Sequence, residues 1–132
     1  MKTNLEWIII ATDRYNKSKK FYRDVLGIPI VRDVPEESFT QFDLGNCYLA
    51  IYGAYAIRKI LGKRRLPRAG SVIFTFKECE SVDKVYEELM AKGVKFIRKP
   101  QTMPWKQRTA YFTDPDGYIW EIQEWIKKVH SS

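Results

Sequence analysis

The sequence predicts an α+β fold: two βαβββ modules, each a curved mixed sheet packed on a helix, together enclosing a cavity. Three observations carry that prediction. A strand, a helix and three further strands can be read twice along the chain. Each helical stretch ends at a glycine, Gly27 or Gly93, the residue best suited to a left-handed C-terminal stop. Trp7 is as far from Tyr22 as Ser71 is from Tyr86, 15 residues in each case, as expected of an internal repeat.

The first module spans 1–53. "EWIIIAT" (6–12) is β-branched and apolar enough for a strand. "NKSKKFYRDVLG" (16–27) has Phe21, Tyr22, Val25 and Leu26 at helical spacing, with Asn16 as the expected N-cap. Strands follow at 28–33, 38–44 and 47–53, the last two joined by a turn near Gly45-Asn46. A basic linker, 54–69, has room for a short helix. The second module, 70–126, opens with the strand "SVIFTF" (71–76). A helix over 81–93 takes Ser81 as its cap and sets Val82, Val85, Tyr86, Leu89 and Met90 on one stripe. "VKFIRK", "TAYFT" and "YIWEIQEW" supply three strands. Asp114-Pro115-Asp116-Gly117 turns the last hairpin, with proline fixing φ and glycine supplying a positive one. Lys127 to Ser132 read as a tail.

At 132 residues and 45% hydrophobic content the chain is sized for one globular domain with a real core. Its longest apolar run, Trp7 to Ala11, is far too short to span a bilayer, and no leader pattern opens the sequence. Cys47 and Cys79 lack metal-ligand spacing and read as reduced thiols, pointing to a cytoplasmic protein. The net charge of +7 is concentrated in "IRKILGKRRLPR" (57–68). No nucleic-acid motif accompanies it, so a solvated basic surface is expected, with an anionic ligand or partner as the alternative.

A βαβββ unit covers one face of its sheet with its own helix and leaves the other open. By alternation, the cavity face is expected to carry Trp7, Ile9, Leu49, Ile51, Ser71, Ile73, Ile119, Glu121 and Gln123. Ile8, Ile10, Val72, Phe74, Trp120 and Ile122 are expected to pack on the helices.

"KSKKFYRDVLG", "SVDKVYEELMAKGV" and "YFTDPDGYIWEI" together resemble the vicinal oxygen chelate superfamily, which includes glyoxalase I, extradiol dioxygenases, and fosfomycin- and bleomycin-resistance proteins. "PWKQR" (104–108) is similar to the Pro-Trp-Gly-x-Arg segment of many bleomycin-resistance-like members. The resemblance implies the same two-module fold and a homodimer. In metal-dependent members a divalent ion is held by histidines on the first strand of each module and by glutamate on a last strand. Here Glu121 matches the glutamate, and its counterpart, counted four residues after Gly45 as Glu121 is after Gly117, falls on Leu49. The histidine positions fall on Trp7, or on Glu6 after a one-residue shift, and on Ser71. The chain's one histidine is His130, in the tail. An open catalytic metal site needs about three protein ligands, so no cofactor is expected. Glu6 and Glu121 remain the candidates should a divalent metal bind.

The expected function is therefore metal-free binding of a planar or amphipathic small molecule, with a glyoxalase- or dioxygenase-like metalloenzyme as the alternative. Candidate ligand contacts are Trp7, Ile51, Ser71, Trp105, Glu121 and Gln123. Glu121 would hold a ligand donor or act as a base; the competing reading is an inherited carboxylate bonded to Ser71, Gln123 or water. Trp7 would wall a planar ligand or simply fill core. Trp105, in a proline-flanked loop, is expected to lid the cavity, and Arg108 to tie down its hairpin through a nearby acid. Tyr48, Tyr52 and Tyr111 are further candidates for the lining.

Overall fold

The computed structural model describes residues 1–126; the tail from Lys127, and with it His130, lies outside the described residues. The chain divides into two compact units, Met1–Arg68 and a second that begins at Ala69.

In the first unit, β1 (Trp7–Thr12) leads into α1 (Tyr15–Lys20), which continues as a π-helical turn over Phe21–Val25. Strands β2 (Ile30–Val34), β3 (Phe39–Asp43) and β4 (Tyr48–Gly53) follow, then α2 (Ala54–Leu61) and a short 3-10 turn at Lys63–Arg65. The sheet order is β1-β4-β3-β2. Strand β1 runs parallel to β4, and the other neighbours are antiparallel. The predicted cap at Asn16 is not used, because the helix starts one residue before it. Arg14 occupies the cap position without a side-chain bond, and the Thr12 hydroxyl accepts the Arg14 N–H at 2.9 Å instead. Past Lys20 the helix widens, so that the Leu26 N–H reaches back five residues to the Phe21 carbonyl at 3.0 Å. Gly27 then stops it with φ +69°.

The second unit repeats the order with β5 (Ile73–Thr75), α3 (Val82–Ala91), β6 (Lys95–Thr102), β7 (Gln107–Thr113) and β8 (Ile119–Trp125). Its sheet order, β5-β8-β7-β6, mirrors the first. Here the cap is as predicted: the Ser81 hydroxyl accepts the Lys84 N–H at 3.2 Å, and Gly93 ends the helix turn with φ +85°. The Asp114–Gly117 turn closes through Asp114 N–H to Tyr118 carbonyl at 3.0 Å. The Asp114 carboxylate accepts the Asp116 and Tyr118 N–H groups, each at 2.9 Å, and Gly117 sits at φ +95°.

The largest fully buried side chains of each unit lie between its helix and one face of its sheet. In the first, Tyr22 of the π turn meets Phe42 at 5.8 Å between centroids. Phe42 pairs with Leu49 and Leu49 with Ile8, so all three share that face with Ile10 and Ile51. In the second, Val82 of α3 packs on Ala110, Ile122 and Phe96. Phe76 stacks on Trp120 at 4.6 Å, and Phe112 lies beside Phe96 at 5.5 Å. A fully buried side chain of this size contributes about 1.5–3 kcal/mol.

The ladders correct two expectations. Leu49 and Ile51 lie on the helix face with Ile8 and Ile10, opposite Trp7, and both are wholly buried. The cause is turn length. The first hairpin closes over four residues, Leu44 N–H to Cys47 carbonyl, and the second over five, Asp114 to Tyr118. Counting from a glycine inside those turns therefore slips the register by one residue and flips every side chain to the other face. The true counterpart of Glu121 is Ala50. Glu121 sits between Thr75 and Tyr111 in the sheet, Ala50 between Ile9 and Gln41. Likewise Ser71 and Val72 precede β5 and are exposed, and the ladder position matching Trp7 is Ile73.

Candidate functional site

The face of the first sheet turned away from α1 is aromatic. Trp7, Tyr48 and Ala50 lie on it, with Phe39 and Gln41 from β3 and Tyr52 from β4. Alternation along each strand puts them there, since these residues occupy every second position. The Trp7 ring is tilted against Tyr48 at 5.3 Å and Phe39 at 6.4 Å, and Phe39 meets Tyr52 edge-on at 5.3 Å. At one end, α2 covers the face through Ala54 and Ile57, which pack on Ala11 and Tyr52. At the edge strand, the Arg32 guanidinium stands 5.7 Å from the Phe39 ring centre. Among the described residues Arg32 has no acidic partner. The rings of Trp7, Phe39, Tyr48 and Tyr52 remain only partly buried, and Arg32 beside them is exposed.

The equivalent face of the second sheet sets hydrogen-bonded polar side chains beside Ile73 and Ile119. Glu121 accepts from the Thr75 hydroxyl at 2.6 Å and from the Tyr111 phenol at 2.7 Å, one to each carboxylate oxygen. Burial raises the Tyr111 phenol above its ordinary range, and the adjacent Glu121 carboxylate raises it further. A second chain begins at the Trp105 indole N–H, which donates to Gln107 at 2.7 Å. Gln107 donates to Gln123 at 2.6 Å, and Gln123 to the Phe76 carbonyl at 3.0 Å. Each Gln123 amide atom is thereby committed to a partner.

The sequence-predicted residues fall into three groups. Glu121 and Gln123 share one open face, and Trp7, Tyr48 and Tyr52 share the other. Trp105 sits at the β6–β7 turn, more than half exposed, tied to that polar chain. Ile51 and Ser71 are displaced, as described above, and Glu121 takes Thr75 and Tyr111 rather than Ser71 as its partners. Arg108 does hold the hairpin, forking onto the Asp83 carboxylate of α3 at 2.7 and 2.9 Å and reaching Thr102 at 3.0 Å. Phe39, Arg32, Thr75 and Gln107 were not anticipated. Strand alternation carried through the correct turn lengths would have placed them.

Glu6 is exposed just before β1. It borders a pocket of about 360 Å³ lined also by Asn4, Leu5, Asp43, Asn46, Cys47 and Tyr48. The donors around Glu121 do not fit a resident metal of the family type. They are one carboxylate and two hydroxyls, the strand position of the first histidine is an indole, and the residue matching Glu121 in the first sheet is Ala50. Among the described residues no three His, Cys, Asp or Glu side chains converge.

The model of the glyoxalase/bleomycin resistance protein/dioxygenase superfamily matches residues 4–122. The chain belongs to that superfamily. The chain is similar to the uncharacterized protein YraH of Bacillus subtilis, 32% identical over 90% of this chain and 96% of that protein. Metallothiol transferase FosB of Lysinibacillus sphaericus is 26% identical, over 90% of this chain and 80% of its own. Among solved structures, a superfamily protein from Nocardioides superposes with a TM-score of 0.80 at 28% identity, covering 96% of this chain and 86% of that one. Two four-stranded mixed sheets, each with its helix, are thus the superfamily's architecture here. No described helix is long and apolar enough to cross a membrane.

Proposed function

We propose that this superfamily member binds a planar, anionic or amphipathic small molecule without a metal, against the aromatic open face of its first sheet. The observation that carries the reading is Trp7. At the position where the resemblance puts a metal-ligating histidine stands an indole, packed 5.3 Å from Tyr48. An indole fills the space an ion needs and offers a stacking surface worth about 0.5–1.5 kcal/mol beyond area burial. Arg32 beside Phe39, in a chain of net charge +7, favours a ligand bearing negative charge over a cationic drug of the bleomycin kind. Binding of this type needs burial and orientation but no reaction. On the second sheet, Glu121 supports a separate polar contact to a ligand N–H or O–H.

The test is a tryptophan-fluorescence titration of chelator-treated protein with 2-naphthoate and with the isosteric 2-naphthylmethylamine. Saturable quenching by the carboxylate is expected, weakened about 2- to 12-fold in Trp7→Leu. Equal binding by the amine would remove the charge argument, and no binding by either would remove the aromatic face as the site.

Similarity to a metallothiol transferase favours a second reading, a metalloenzyme using Glu121. A ligand that binds only the native state raises its apparent stability. Melting of stripped protein with Zn²⁺, Ni²⁺, Mn²⁺ or Fe²⁺, beside Glu121→Gln, therefore separates the two. A rise lost in the variant would overturn the metal-free reading and make assays on metal-activated substrates the next step. We further take the protein to be a cytoplasmic homodimer, on the resemblance and on its two free cysteines; sedimentation equilibrium tests the dimer.

A further inference from the structure

We propose that the corner formed by the end of α2 and the Lys63–Arg65 turn is a docking surface for an anionic membrane leaflet. From residue 44 to residue 77 the chain contains no aspartate or glutamate, but it carries Arg58, Lys59, Lys63, Arg64, Arg65, Arg68 and Lys77. Of these, Arg58 alone has an acidic partner among the described residues, a loose one in Asp13 at 3.9 Å. The negative end of the α2 dipole accounts for cations in its last turn, Arg58 and Lys59. It does not account for three successive exposed cations beyond Gly62.

The apolar residues of the same corner select the partner. Helix α2 buries Ala54 and Ile57 against the sheet, and Leu66 packs back on the same cluster. Between them Ile60 and Leu61 are left 66% and 46% exposed, immediately before the basic turn. Large aliphatic side chains bordered by lysine and arginine match the layering of a membrane interface. There the cations meet anionic headgroups and the aliphatic groups enter the acyl boundary. Nucleic acid is a poorer fit. It rewards cations and free stacking rings, whereas Tyr55, the exposed ring of this helix, is covered by Lys59 at 4.5 Å. A second copy of the chain is poorer still, since this surface would meet its own charge.

Each lysine or arginine held at an anionic leaflet strengthens binding about fivefold. The test is co-sedimentation of the full chain with vesicles of phosphatidylserine and phosphatidylcholine, and with phosphatidylcholine alone. Binding to the anionic vesicles only is expected, about 25-fold weaker in Arg64→Gln/Arg65→Gln. It should also weaken in Ile60→Asn/Leu61→Asn, whose exposed positions spare the fold, as a melting curve will check. Two results would overturn the proposal. One is no binding to anionic vesicles. The other is vesicle binding indifferent to Ile60 and Leu61 and displaced by polyuridylate, which would make the corner a general polyanion site.

Discussion

The two units share one topology and differ in chemistry on the face their helices leave open. In the first sheet that face is carried by Trp7, Phe39, Tyr48 and Tyr52, rings in mutual contact. In the second it is carried by Thr75, Tyr111, Glu121, Gln107 and Gln123, joined by hydrogen bonds of 2.6–2.7 Å. The helix faces show no such divergence: both are apolar and built on a buried phenylalanine, Phe42 or Phe112. Folding constrains the helix face of a βαβββ unit because the core is there. The open face is less constrained by that core, and it is there that the two units differ.

The sharpest way to break that comparison is to show that the cores are unequal. Phe42 and Phe112 occupy matching ladder positions, paired with Leu49 and Trp120, and both have zero exposure. Phe42→Ala and Phe112→Ala should each cost about 3–5 kcal/mol, measured as a shift in the urea midpoint. A cost confined to one of them would mean that the units do not share a core design.

The open faces can be exchanged at one position. Glu121→Gln keeps the shape but removes a charged acceptor from two hydroxyls, at a cost of about 1–2 kcal/mol. It should also bring the Tyr111 phenol back toward its ordinary range, because part of its upward shift comes from that carboxylate. A spectrophotometric titration of tyrosinate reads this directly. The reciprocal change, Ala50→Glu, places a carboxylate at a fully buried position without hydroxyl donors. It should destabilise by about 3 kcal/mol or more. If Ala50→Glu were tolerated as easily as Glu121 is, the polar wiring around Glu121 would not be what permits a carboxylate there.

Fold and core were largely legible in the sequence. Glycine stops at Gly27 and Gly93, the Ser81 cap and the Asp114–Gly117 turn are local signals whose physics acts within a few residues. The β8 positions of the second open face, Ile119, Glu121 and Gln123, were legible too, because β8 was numbered from a turn of known geometry. What failed was transfer between the modules. The Gly45 and Gly117 turns differ by one residue, and nothing in their composition reports the closing hydrogen bond, so Leu49 and Ile51 were put on the wrong face. Similarly, the 15-residue spacing that paired Trp7 with Ser71 assumed helices starting in the same register. The first helix instead widens into a π turn, and β5 begins only at Ile73. The partners of Glu121 could not be read at all, since Thr75 and Tyr111 reach it across strands that are distant in the chain.

The smallest effect separates the two units by their ion pairs. Lysine 19 and the Thr40 and Tyr15 hydroxyls bond Asp33 in the first unit, and Arg108 forks onto Asp83 in the second. Both aspartates are held below their ordinary range, Asp33 first by its bond from Lys19 and Asp83 by its bond from Arg108. A carboxylate with a depressed folded-state pKa stabilises the fold above its unfolded value, near pH 4, and that contribution fades as pH falls further toward the folded value. Acid should therefore destabilise the protein below about pH 4, and Asp33→Asn and Asp83→Asn should each flatten that loss. The Asp83 side chain is 56% exposed and that of Asp33 is 32%, so water and salt screen the second pair more. Asp83→Asn should cost only about 0.2–1 kcal/mol at neutral pH, less in molar salt, with Asp33→Asn the larger of the two. Urea midpoints at pH 7 and pH 3, in low and high salt, decide the order; the reverse ranking would mean that Arg108 does more than pin its hairpin.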